Sequence, residues 1–295
     1  GKPMSCAELQ ASKELDLGDM LGEKNLTPND MATLGMLLGS NYLPELQLFD
    51  WRFNPYGNAG AQAMFERMDH GSLPTLVELA IEGVEMGLAG SKALAAALSR
   101  GAMPNLQYLY LEVHPIGNQS VAALAAPLRK MPTLKVLSLV DCQFGNKGMA
   151  SLFANLSKDE FKALEHLYLH GNPISAAGVD QIVVAIEAGG LPKLNSPDRS
   201  WVNSTGEPRP VGMFTNEFTD EVGLSASEAR VASALAKRSS SQLRKKTLAM
   251  SLSDVDDLAC EICRSPDDEA SMLLCGKCER GYHMACLSPP LSALP

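Results

Sequence analysis

No apolar run in the chain reaches 18 residues, so the sequence offers no transmembrane helix and no membrane partner is expected. Positive charge is in short supply: 25 Lys and Arg face 34 Asp and Glu, for a net charge of −9 and a pI near 5.1. That balance argues against general nucleic-acid binding. The opening residues, Gly1-Lys-Pro-Met-Ser-Cys, show no charged-then-apolar signal sequence. They also lack an initiator Met, and the chain is expected to start inside a longer one. No nucleophile–base constellation, phosphate-cradling Gly loop or carboxylate pair with an assignable task is found, so neither catalysis nor a small-molecule substrate is expected. Cysteine is scarce outside one stretch: five of seven lie within residues 260–286, leaving Cys6 and Cys142. Tryptophan is absent after Trp201.

What is present is periodic. Hydrophobic residues make up 45% of the chain, ample for a core, and the length suits two domains. Aligned on Leu46, Leu76, Leu106, Leu134, Leu164 and Leu194, the sequence repeats in steps of 30, 30, 28, 30 and 30 residues. The first five units begin close to L-x-x-L-x-L, most clearly at Leu106-Gln-Tyr-Leu109-Tyr-Leu111. Fourteen residues after each anchor stands a small residue: Gly60, Gly90, Ser120, Gly148, Gly178. Apolar residues follow at 18 and 22, from Met64/Met68 to Ile182/Ile186. The period changes from two to four inside each unit, which predicts a short strand and then a helix buried along one face.

This pattern resembles the leucine-rich repeat family, in the long-repeat class similar to ribonuclease inhibitor. The resemblance implies an α/β solenoid with parallel strands inside and helices outside. Residues 1–42 are expected to form an N-terminal cap with a degenerate first repeat, and 43–194 the repeats proper. The array is expected to fail at Leu194, because Pro197 takes the next core position and cannot donate to a ladder.

The family register places a turn-bonding residue eight positions after the anchor: Asn54, Val84, His114, Cys142 and Asn172. Structural roles are therefore expected for Cys142 and His114. Residues alternating with the strand leucines should line the concave surface. Tyr108, Tyr110, His166, Tyr168 and His170 cluster there as candidate contacts for a protein partner, against the alternative of ordinary strand decoration. His166 and His170 stand roughly 13 Å apart along a strand, too far to share one ion.

Residues 195–257 read as a linker with a short basic helix near 225–237, either capping the array or free. Ser239-Ser-Ser lies between Lys237-Arg238 and Arg244-Lys245-Lys246, a solvated basic linker or a weak nuclear-import or DNA-backbone patch.

Residues 258–295 carry three ligand pairs: Cys260-x-x-Cys263, Cys275-x-x-Cys278 and His283-x-x-Cys286. A two-residue gap lets both side chains of a knuckle reach one tetrahedral zinc. Clustered thiols of this kind suit a reducing cytosolic or nuclear compartment. Together with Gly281-Tyr282-His283 and Cys286-Leu-Ser-Pro289-Pro290-Leu, they closely resemble a plant homeodomain (PHD) finger. That resemblance implies a cross-brace in which Cys260, Cys263, His283 and Cys286 hold a first zinc, and Cys275 and Cys278 begin a second. The family continues with a Trp and a further C-x-x-C, which this sequence ends just before, so the finger is expected to be partial. A one-zinc ribbon using the two C-x-x-C pairs, and a RING finger, remain open.

Asp256, Asp257, Glu261, Asp267, Asp268 and Glu269 give the finger an acidic face that suits a basic peptide, or serve only to solubilise it. The resemblance implies a nuclear (alternatively cytoplasmic), non-enzymatic reader of a histone tail. The usual cage Trp before the ligand His is replaced by Tyr282, so an unmethylated lysine is expected to be preferred. Two other readings stand beside it: a ubiquitin-ligase component whose finger recruits a conjugating enzyme, and a leucine-rich GTPase-activating regulator.

Overall fold

In a computed structural model, the described residues are 5–17, 27–52, 57–83, 85–194, 200–202, 208–210, 229–239, 272–274 and 281–283. Contacts divide the chain into a unit of residues 1–235 and a unit of residues 236–295.

The first unit is a ladder of strand–helix pairs. β1 (Glu14–Asp16), β2 (Leu48–Asp50), β3 (Glu78–Glu82), β4 (Tyr108–Glu112), β5 (Val136–Ser138) and β6 (His166–Tyr168) form one parallel sheet in sequence order. Between and after them run α2 (Pro28–Gly39), α3 (Gly57–Phe65), α4 (Leu88–Ser99), α5 (Gly117–Lys130), α6 (Asn146–Phe153) and α7 (Ala176–Glu187), with α1 (Cys6–Gln10) leading. The N-terminal segment joins the ladder: Leu15 pairs with Phe49, and α2 packs on α3. Local signals set its ends. Thr27 and Asp30 form a reciprocal capping box with Pro28 at the first helical position, and Ser5 and Glu8 do the same for α1.

Burial follows the repeat. Leu79, Leu109, Leu137 and Leu167 stack strand on strand in register. With Ile81, Leu111, Leu139 and Leu169 they meet the buried helix positions Leu94, Leu124, Leu152 and Ile182 in one core. The small residue at position 14 is sterically required. A Cβ on Gly148 would lie 2.5 Å from the Phe144 ring, and one on Gly178 2.4 Å from the Asn146 side-chain oxygen Oδ1. Gly35 and Gly39 let α2 approach the backbone of the next repeat, since a Cβ at Gly39 would stand 2.2 Å from the Arg67 carbonyl oxygen. The 28-residue unit loses its two residues after α5, where only residues 131–133 lead to Leu134.

The sequence left the 225–237 helix as cap or free segment. Residues 229–239 are helical, and Val231, Ala234 and Leu235 are buried in the core of the array. Arg230 pairs with Asp180 of α7 at 2.5 Å. An end repeat without a neighbour leaves apolar surface open, and these residues close it. β7 (Ser200–Val202) and β8 (Pro208–Pro210) pair antiparallel within the chain that leads to this helix.

In the second unit, β9 (Met272–Leu274) and β10 (Gly281–His283) form an antiparallel pair, His283 opposite Met272. Among the described residues no helix is long and apolar enough to cross a membrane.

Candidate functional site

The parallel register assembles the inner face of the sheet row by row. Leu48, Glu78, Tyr108, Val136 and His166 align in one row. Asp50, Ala80, Tyr110, Ser138 and Tyr168 align in the next. Glu82 and Glu112 pair at the strand ends. Carboxylates thus run from β2 to the end of β4, and aromatic and imidazole rings stand on β4 and β6. Arg52 lies among the acids. Its Nε donates to both Asp50 oxygens at 2.9 and 2.7 Å, and Nη1 stands 4.0 Å from Glu82. The bond to Asp50 holds the guanidinium pKa above its ordinary value.

Exposed aromatics were expected on this face, and here the structure corrects the sequence. Tyr110 and Tyr168 are only 4% and 5% exposed. They form a second apolar cluster with Ala80, Val136 and Val140, against which the half-buried Tyr108 packs. In their row the two tyrosines flank the small Ser138 of β5, and they share cover with Ala80, Val136 and Val140 of the same cluster. Burial pushes the Tyr110 phenol far up, and the Glu78 and Glu112 carboxylates push it further. His166 remains half-buried, its ring stacked on Tyr168 with centroids 6.4 Å apart. His170 is also half-buried, and burial lowers its pKa.

The turn row behaves as its register requires. Asn172 is buried, and its Oδ1 accepts from the N–H of Cys142 (2.9 Å) and of Phe144 (3.3 Å). Its Nδ2 donates to the carbonyls of Leu139 (2.6 Å) and Leu169 (2.8 Å). The Cys142 thiol donates to the carbonyl of Leu111 at 2.9 Å. Burial pushes that thiol far up, so it stays protonated and is no nucleophile. His114 donates through Nε2 to the carbonyl of Ile81 at 2.8 Å, and burial lowers its pKa to about 4. Asn54 and Val84 lie outside the described residues.

A second asparagine row escaped the sequence reading. Asn58, Asn118 and Asn146 stand twelve residues after their anchors. Asn58 Oδ1 accepts from Gly90 N–H at 2.7 Å. Asn118 Oδ1 accepts from Gly145 (3.0 Å) and Gly148 (2.8 Å), and Asn146 Oδ1 from Ser175 (3.0 Å). Each caps the helix start of the following repeat, satisfying donors that a helix cannot satisfy itself. The same alignment carried the signal.

Of the six ligand candidates, only His283 falls on described backbone, closing β10. Cys260, Cys263, Cys275, Cys278 and Cys286 lie outside the described residues, as do Asp256, Asp257, Glu261, Asp267, Asp268 and Glu269. The β9–β10 pairing makes the segment between the ladders, with its two thiols, the connection between antiparallel partners. Among the described residues no group of three His, Cys, Asp or Glu side chains could hold a metal ion.

Comparison with known proteins finds one family match in each unit. Residues 260–295 match the family model described as PHD-finger, and residues 130–153, from the end of α5 into α6, that described as Leucine Rich repeat. A 51-residue stretch, 17% of the chain, is 43% identical to the "PHD and RING finger domain-containing protein 1" of Mus musculus, 3% of whose length it covers. Forty residues, 14% of the chain, are 48% identical to human "Remodeling and spacing factor 1", again 3% of that protein. Thirty-seven, 12% of the chain, are 46% identical to the "E3 ubiquitin-protein ligase UHRF1" of Xenopus tropicalis, 5% of that protein. The chain therefore spans only a small fraction of the length of these relatives. Its architecture is that of an α/β leucine-rich repeat solenoid joined to a small second module. Family models thus place a leucine-rich repeat at 130–153 and a PHD finger at 260–295.

Proposed function

We propose that the chain is a non-enzymatic interaction protein of the nucleus, with a finger that reads a basic peptide, a histone tail by preference, and repeats that hold a protein partner. The observation that carries this is the PHD-finger match over 260–295, a span holding all six ligand residues in paired spacing. Five thiols and one imidazole are the donor set that zinc favours over harder cations. Cys260, Cys263, His283 and Cys286 would hold one zinc, and Cys275 and Cys278 would contribute to another. The metal supplies folding free energy to a module too small to build its own core. Asp256, Asp257, Glu261, Asp267, Asp268 and Glu269 would pair with the Lys and Arg of the peptide. The inner face, with Tyr108, His166 and His170 half-buried on it, is the surface proposed for the partner of the repeats.

The test is calorimetric titration of the zinc-loaded chain with an unmodified histone H3 N-terminal peptide and with its lysine-4-trimethylated form. The unmodified peptide should bind more tightly, and Asp256→Lys/Asp257→Lys should abolish binding. Equal or absent binding to both peptides by zinc-loaded protein sinks the reading. The printed names of two relatives, one with a RING finger and one a ubiquitin ligase, favour a second reading as a ligase component. That reading predicts ubiquitin transfer that survives the same charge reversal.

A further inference from the structure

The backbone ladder runs on past the strand ends. The Val113 N–H donates to the Val140 carbonyl at 2.9 Å, and the Asp141 N–H to the His170 carbonyl at 3.0 Å. Val113, Asp141 and His170 therefore stand on three successive repeats at one rim of the inner face, with a step of about 4.8 Å between repeats. Val113 is apolar and half exposed, a branched side chain on left-handed backbone. Glycine suits that turn better, as Gly83 and Gly171 show in other repeats, so the fold itself has no use for a valine here. Asp141 is exposed, and its carboxylate rests over Gly171, where a Cβ would collide with Oδ1. Among the described residues no Lys or Arg pairs with it. The half-buried His170 ring feels that carboxylate, which works against the burial that lowers its pKa. The ring is uncharged at pH 7 and does not repel a cation. Glu112, next to Val113, and Glu82, opposite Glu112, add negative charge to the same rim.

An exposed carboxylate, an uncharged flat ring and an apolar surface one repeat away fit arginine above other side chains. Its planar fork meets both oxygens of a carboxylate, and its face stacks on a ring. Lysine offers a point charge and no face. We propose that Val113, Asp141 and His170 are the anchor site at which the repeats take an arginine of their protein partner. The guanidinium pairs with Asp141 and lies against the His170 ring, and an apolar residue next to that arginine covers Val113. The site rests on the reading that the inner face holds a protein partner, and it specifies the chemistry of that partner.

The experiment titrates the zinc-loaded full chain, with its histidines labelled with carbon-13, with N-acetyl-arginine methylamide and follows the imidazole resonances by NMR. The His170 signal should move and saturate, while that of the buried His114 stays fixed. N-acetyl-lysine methylamide should bind about 3-fold more weakly. Asp141→Asn, which keeps a residue tolerant of left-handed backbone, should weaken the arginine probe about 3- to 10-fold. A leucine added on one side of the arginine should tighten binding about 3-fold in the wild type and give no gain in Val113→Gly. A His170 signal that does not move, or equal binding by Asp141→Asn, overturns the site. A shift at His166 without one at His170 also overturns it, yet leaves the inner face as the partner surface. A His170 signal that moves with protein concentration alone makes a second copy of the chain the occupant and overturns the proposal. The histone-peptide titration reads the finger, so failure there and failure here are told apart.

Discussion

Asn172 Oδ1 accepts the N–H of Cys142 from 2.9 Å away, joining turns thirty residues apart in sequence. The same side chain reaches back through Nδ2 to Leu139, so one buried amide serves the backbone of two successive repeats. Removing it orphans at least two buried N–H groups. Asn172→Ala should therefore cost about 2–4 kcal/mol, read as a lower urea midpoint with an unchanged slope.

His114 makes the array acid-sensitive. It is neutral in the folded state, with a pKa lowered to about 4 from 6.5. Above pH ~6.5 neither state is protonated, and the residue contributes no pH dependence. As pH falls from ~6.5 to about 4 only the unfolded chain takes up the proton, so stability is lost. Below about 4 both states are protonated and the loss levels off at about 3 kcal/mol. His114→Asn, which restores the amide of Asn172 to the row, should remove this component. Chemical denaturation of both proteins between pH 7 and 4 measures the difference.

Val113 is a β-branched residue at φ 57°, half exposed, one position before His114 in the row. The equivalent positions hold Gly83, Asp141 and Gly171, all with positive φ. Left-handed backbone costs a residue with a Cβ about 1–2 kcal/mol. Part of that gain is lost to the freedom of glycine when unfolded. Val113→Gly should still raise stability by about 0.5–1 kcal/mol, visible as an increase in Tm.

Leu235 tests whether the last described helix of the first unit belongs to the array. Truncation to Ala should cost about 2–4 kcal/mol in the cooperative unfolding of the repeats. A free linker helix would leave that transition where it is.

Much of this was legible in the sequence, and the gaps have physical causes. The leucine anchors, the small residue at position 14 and the apolar pair at 18 and 22 specify strand, close approach and buried face, because each is set within one repeat. Cys142 and His114 were correctly taken as structural from register alone. The burial of Tyr110 and Tyr168 was missed, since alternation assigns a side chain to a face but not how tightly its neighbours crowd it. Asn58, Asn118 and Asn146 were missed because their partners lie in the following repeat.

The glycines of α2 bear on how such an array can lengthen. A repeat duplicated in the middle finds a neighbour on each side shaped like the one it was copied from. Gly35 and Gly39 instead key α2 to the backbone of the repeat that follows, where Gly39 has no room for a methyl group. A copy carrying side chains at those two positions would be held off by the Met64 and Arg67 carbonyls. Growth by duplication is thus open to the interior of the array and closed at its first step.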